Sequence, residues 1–300
     1  MRRRHFFGAV AAASVFSAQT PSRAQSNRAK FKLRYGPHPG MFRNAAGPDI
    51  IDQIKFSADQ GFTGWEDNGA MGREPALQEK IGKALADSGM KMGVFVSFSD
   101  FNGSDFVTKT DKAYQETLKA KMRDAVECAK RLQAKWTTVV PASVNNRLDP
   151  YFQTANCITN LKAMCEVCEP AGLVMVLEPL NWYANHPGLF LRSVPQAYMI
   201  CKGVGSKSCK ILDDLYHQQI DVGNLIPNMQ KAWDEIDYIQ VGDNPGRKEP
   251  TTGEINYKKI FQWLHEKKFG GVVGMEHGNA KPGKDGEMAV IAAYRECDSF

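Results

Sequence analysis

A chain of 300 residues with 43% hydrophobic content can bury the core of one large α/β domain, and no stretch reaches the roughly 20 apolar residues that a membrane span requires. Its net charge of +5 is concentrated at the start: residues 1–24 hold Arg2, Arg3, Arg4 and Arg23 and no acidic residue, so without them +1 is left. A near-neutral remainder gives no sign of a strongly basic surface for nucleic acid.

The first segment reads as a cleavable export signal. Three arginines precede Phe6 and Phe7, an apolar stretch runs from Gly8 to Ala18, and Ser22-Arg23-Ala24 offers a small-x-small cleavage site. The Arg3-Arg4-x-Phe-Phe pattern matches a twin-arginine signal, which exports folded proteins, so residues 25–300 are expected as a periplasmic domain. All seven cysteines lie in that domain, and the odd count leaves at least one unpaired in a monomer. Cys165 and Cys168 form a C-x-x-C inside an expected helix, which favours packing over redox chemistry. Cys201 and Cys209 flank a short loop, and a disulfide between them stays open.

Strands are expected at residues 31–35, 63–66, 91–98, 137–141, 173–178, 209–214, 237–241 and 270–276. Between them fall helices at about 50–58, 76–88, 110–134, 151–169, 194–203, 222–235, 256–268 and 285–297. In the longest, Tyr114, Leu118, Met122, Ala125, Ala129 and Leu132 recur at the spacing of one helix face. Eight strand–helix alternations without a linker predict a single (β/α)8 barrel.

The segment 173–178 carries the functional argument. Five apolar residues, Leu173–Leu177, end on Glu178, and a proline follows. A carboxylate there contributes nothing to packing, but parallel barrels build their sites at the carboxyl ends of strands. Asp214, Gln240 and Glu276 repeat the arrangement at intervals of 36, 26 and 36 residues, each about one strand–helix unit. The four ends therefore fall on consecutive strands about 4.8 Å apart. Three carboxylates and one amide oxygen make a hard, oxygen-rich set suited to Mg²⁺ or Mn²⁺, with Co²⁺ a further candidate. A single acidic strand end is as often a helix cap; four in succession are not. His217 and Arg247, on the segments leaving two of these strands, are placed to hold substrate oxygens. Residues 242–257 form a long Gly/Pro-containing loop with the look of a lid. Trp182, Tyr183 and His186 are candidate pocket walls, and His38 and Glu66 are weaker candidates at the first two strand ends.

Leu-Glu-Pro-Leu-Asn at 177–181, Asp-x-x-His at 214–217, the block 239–257 and Gly-Met-Glu at 274–276 together resemble the hydroxypyruvate isomerase family. That family sits among the xylose-isomerase-like barrels, with the ketose 3-epimerases as relatives. The resemblance covers about residues 170–280 and is most specific at 239–257. It implies one divalent metal on Glu178, Asp214, Gln240 and Glu276, with Glu178 and Glu276 as the acid/base pair and His217 and Arg247 on the substrate. The implied chemistry is glutamate-mediated proton transfer next to a carbonyl, through an enediolate, in a small hydroxyketone or sugar. Returning the proton to the neighbouring carbon isomerises; returning it to the opposite face epimerises. Two other classes compete. A multi-zinc phosphodiesterase needs more histidines and a basic groove than this chain has. A non-catalytic exported sugar-binding barrel has no need of an intact ligand set. The expected partner is a small-molecule carbonyl or sugar, not nucleic acid or membrane, and a homo-oligomer stays open.

Overall fold

The computed structural model describes residues 29–300, so the expected export signal lies outside the described residues. Nine strand segments are present: β1 (Tyr35–Gly36), β2 (Gly64–Trp65), β3 (Lys91–Met92), β4 (Val96–Ser99), β5 (Trp136–Val140), β6 (Val174–Leu177), β7 (Cys209–Asp214), β8 (Ile236–Gln240) and β9 (Val273–Gly274). All pairings are parallel, in the order β1-β9-β8-β7-β6-β5-β4, with β2 paired to β3. The segments β3 and β4 are two pieces of one barrel strand. Between them the Val94 amide leaves the ladder and donates to the Tyr238 hydroxyl at 3.3 Å. The gap between β1 and β2 is bridged by the Glu66 amide donating to the Pro37 carbonyl at 2.9 Å. The result is the closed eight-stranded barrel the alternation predicts.

Alternating side chains divide the core into two layers. Val94, Trp136, Val174, Val176, Leu212, Tyr238 and Val272 pack inside the barrel. The opposite faces pack against the helices in a larger cluster that includes Met175, Leu177, Ile211 and Ile239. Helices start where the sequence supplies caps. Asp49, Asp111 and Asp149 each accept a backbone N–H in the first turn of the helices Ile50–Asp59, Lys112–Leu132 and Pro150–Ala171. The last of these ends at Gly172, whose φ of 70° suits a residue without Cβ.

Several boundaries differ from expectation. The first strand joins the sheet only at Tyr35–Gly36, although Phe31 and Leu33 are buried as a strand would bury them. Of the helix expected at 222–235 only Leu225–Lys231 forms, and an additional short helix, Leu215–Asp221, precedes it. The two break at Gly223 (φ 60°) and Asn224 (φ 52°), and the earlier begins directly after β7. Cys165 and Cys168 lie buried within one helix, and all seven cysteines, Cys201 and Cys209 included, are buried free thiols. Among the described residues no helix is long and apolar enough to cross a membrane.

Candidate active site

The carboxyl ends of β6 to β9 bring the predicted residues to one side of the barrel mouth. Asp214 lies opposite Gln240 in the ladder, and Gln240 opposite Gly274, two residues before Glu276. Glu178, Asp214 and His217 have potential ligand atoms within 4.8 Å of one another, and all three are buried. Glu276 joins the group through Arg247, whose Nη2 donates to Asp214 Oδ2 at 2.6 Å and to Glu276 Oε2 at 2.8 Å. Both Arg247 and Glu276 keep about a quarter of their side chains exposed (26%), so they face the opening.

Asp214 does two jobs. Its Oδ1 caps the helix that begins at Leu215, accepting from the amides of Tyr216 (2.8 Å) and His217 (3.4 Å). Its Oδ2 faces Arg247 and the site. Cap and ligand candidate, alternatives in the sequence, are therefore one side chain with two oxygens. The early helix also means that His217 stands on a helical first turn, not on a loop.

The state of His217 follows from Asn181. Asn181 Oδ1 accepts the amides of Ala184 (2.9 Å) and Asn185 (3.2 Å), which turns its Nδ2 toward His217 Nδ1 at 2.6 Å. The Nδ1 of His217 is thus an acceptor, and the ring proton sits on Nε2. Nε2 is buried without a partner, 3.6 Å from Asp214 Oδ2. A protonated Nε2 offers no lone pair to a metal but donates to a substrate oxygen, the role expected for His217. Burial also lowers its pKa to about 4, so the ring is neutral.

Three carboxylates, of Glu178, Asp214 and Glu276, surround one guanidinium, and Glu66 lies behind them. Burial raises Glu178 well above the usual range, helped by the charges of Glu276 and Asp214. Glu276 is pushed up to about 7 by removal from water, opposed by Arg247 and reinforced by Asp214. Glu66 is pushed up to about 8 by burial and by Glu276. Burial also acts upward on Asp214, but Arg247, His217 and the two cap amides outweigh it and hold that carboxyl low. Such an excess of buried negative charge is the environment a divalent cation neutralises. Gln240 Oε1 adds a buried, unpartnered oxygen among these carboxylates. The residues present therefore fit a hard metal ion.

Residues around this core were partly visible in advance. Glu66, a weak candidate, forms part of the floor, accepting from Tyr238 Oη (2.8 Å) and Gln240 Nε2 (2.9 Å). The ring of His186 lies 5.4 Å from that of His217 and stacks on Phe101, so it is a wall. Trp182 instead donates to the Leu189 carbonyl and lies under Arg192, and Tyr183 is exposed (75%). His38 spends its ring on backbone oxygens of Pro39 and His277. Sequence reasoning passed over Asn68, which donates to Glu276 Oε1 at 2.9 Å, and Tyr238, whose position two before Gln240 put it on the same strand face. It also passed over Asp243.

Asp243 corrects the expectation of a lid. This buried carboxylate accepts from the amides of Gly253 (2.8 Å), Asn244 (3.0 Å) and Ile255 (3.1 Å). Its backbone bonds to Lys248 and Arg247 as well. The loop is knotted around one side chain and holds Arg247 at a φ of 52°, a left-handed conformation that costs a non-glycine residue about 1 kcal/mol.

Comparison with known proteins agrees with this architecture. The model of the xylose isomerase-like TIM barrel family matches residues 54–297, and the chain belongs to that family. Hydroxypyruvate isomerase of Escherichia coli is 34% identical over 123 residues, 41% of this chain and 47% of the relative. The chain thus spans about half the length of such curated relatives. A 2-oxo-tetronate isomerase of Pectobacterium atrosepticum is 27% identical over 250 residues, 79% of this chain and 89% of the relative. A solved structure described as an AP endonuclease, family 2, from Brucella melitensis superposes with a TM-score of 0.72 at 22% identity, covering 87% of this chain and 99% of that one. At that identity the superposition speaks for the fold alone.

Proposed function

We propose that this barrel is a metal-dependent isomerase of the hydroxypyruvate isomerase type, acting on a small 2-keto acid, hydroxyketone or sugar. The observation that carries the reading is the placing of two buried glutamates at one side of the mouth: Glu276 beside the Arg247 guanidinium at 2.8 Å, and Glu178 grouped with Asp214 and the His217 imidazole within 4.8 Å. The similarity to hydroxypyruvate and 2-oxo-tetronate isomerases supports the substrate class.

The metal would be held by Glu178, Asp214, Gln240 and Glu276, Mg²⁺ or Mn²⁺ being the best match to oxygen donors. Bound there, it would act as a Lewis acid that stabilises negative charge developing on a substrate oxygen. The chain's own residues do the rest. The His217 Nε2–H and the Arg247 guanidinium are donors aimed at substrate oxygens, and Arg247 suits a carboxylate or a pair of oxygens. One glutamate takes the proton from the carbon next to the carbonyl and the other returns one. The export signal read at residues 1–24 would place this activity in the periplasm.

The test is proton NMR in D₂O of the purified protein with Mg²⁺ or Mn²⁺, offered hydroxypyruvate, 2-oxo-tetronate and free ketoses. Solvent deuterium should enter the carbon next to the carbonyl only when metal is present. Glu178→Gln and Glu276→Gln should each lower the rate by at least about 10³, because general acid–base groups contribute about 10²–10⁴ and these also bear on the metal. A carbonyl that migrates marks an isomerase; one that stays put with inverted configuration marks an epimerase. Wild-type exchange in either variant would remove that glutamate from the mechanism.

A further inference from the structure

The proposed metal set contains one ligand that can face the wrong way. A carboxylate presents an oxygen whichever way it turns, but a glutamine amide has an oxygen end and an NH₂ end of nearly the same shape. Something must hold Gln240 with its oxygen toward the carboxylates. We propose that Glu66 is the positioning residue that does so. The inference rests on the reading of the site as a metal centre.

The hydrogen bonds run in one direction. The Val94 amide donates to the Tyr238 oxygen at 3.3 Å. The Tyr238 proton then goes to Glu66 Oε2 at 2.8 Å, and the other oxygen, Oε1, accepts from Gln240 Nε2 at 2.9 Å. Glu66 therefore accepts on both oxygens and captures the NH₂ end of the amide. Gln240 Oε1 is left buried and unpartnered. Glu66 and Gln240 are each 1% exposed, so water does not reach the pair to compete.

The barrel is shaped to admit this acid. A Cβ on Gly274, the ladder partner of Gln240, would collide with Glu66 Oε2. A Cβ on Gly93 would collide with the Tyr238 hydroxyl. Two strands that are not neighbours in the barrel, β9 and the one made of β3 and β4, thus give up side chains where the Glu66–Tyr238 pair sits. Glu66 does not itself need to touch substrate or metal in this role.

The experiment measures Mn²⁺ affinity without substrate, by the EPR signal of free Mn²⁺, on protein stripped with EDTA. Glu66→Gln keeps the shape but supplies an NH₂ that turns the Gln240 oxygen inward. It should weaken Mn²⁺ binding about 10–100-fold, the usual range for a residue that orients a ligand. Glu66→Met loses the same charge but holds the amide neither way, so its affinity should fall between those of the wild type and Glu66→Gln. Adding Gln240→Glu to Glu66→Gln should restore binding to at least the wild-type level, because a carboxylate has no wrong end. Near-equal thermal midpoints of the metal-free proteins would confirm that each variant folds. Wild-type affinity in Glu66→Gln would overturn the proposal. So would equal losses in Glu66→Gln and Glu66→Met, which would mean that charge alone matters, or failure of the double variant to recover. A wild-type protein that held no Mn²⁺ would instead sink the metal reading itself, and this inference with it.

Discussion

The two arcs of the barrel do different work. Strands β5 to β8 have four to six residues each and form an unbroken run of ladders. The arc of β9, β1, β2 and β3 is made of two-residue segments. Of the four proposed metal ligands, three leave the ends of β6, β7 and β8. The short arc contributes Glu276 and, from behind, Glu66 and Asn68, which hold Gln240 and Glu276 by hydrogen bonds of 2.9 Å. Long ladders fix where the ligands stand. The short arc, opened by glycines, lets orienting side chains into the space that backbone and Cβ atoms would otherwise fill.

Substitutions on each arc should break different things. The largest effect is expected on the short arc. Gly274→Ala would drive Glu66 from its place, so it should lower the thermal midpoint by several degrees and weaken Mn²⁺ binding by at least about tenfold. Unchanged Mn²⁺ affinity would mean that Glu66 is free to adjust. On the long arc, Asp243→Asn removes an acceptor from the knot that shapes the loop after β8. Arg247 should lose its set position, raising KM about tenfold without the tenfold loss of Mn²⁺ affinity expected of Gly274→Ala, since Arg247 is a cation that leaves the ligands rather than a group that orients one. Steady-state kinetics beside a metal titration separate the two arcs directly.

That asymmetry also decided what was legible in the sequence. The long arc announces itself: Leu173–Leu177 is an uninterrupted apolar run, and Glu178 is anomalous at its end. The spacing to Asp214, Gln240 and Glu276 then follows from the length of one strand–helix unit. Two-residue strands carry no such periodicity, so Phe31–Tyr35 read as a full strand and Glu66 stayed a weak candidate. Asn68 and Asn181 act through side-chain bonds to residues 208 and 36 positions away, which no local pattern encodes. Asp243 looked like part of a flexible loop because Gly and Pro surround it. Only the three amides converging on its carboxylate reveal the loop as fixed.

The last effect, confined to pH above neutrality, concerns a carboxyl that neither arc uses. Asp213 alternates with Leu212 and Asp214 along β7 and so points away from the barrel interior. It is 2% exposed, its Oδ1 has no partner, and burial together with the charge of Asp214 pushes its pKa up to about 8. An acid whose folded pKa is raised binds its proton more tightly in the native state. Its contribution to stability is complete below the unfolded value near 4 and is lost as pH rises toward 8. Asp213→Asn keeps the neutral shape at every pH. It should therefore leave the thermal midpoint unchanged near pH 4 and raise it by about 3–8 °C at pH 8 and above. Melting curves of the two proteins across that range test the point. Parallel curves would show that Asp213 is ionised in the native protein and has found a cation or water to pay for it, in which case the long arc also hides a polar site on its outer face.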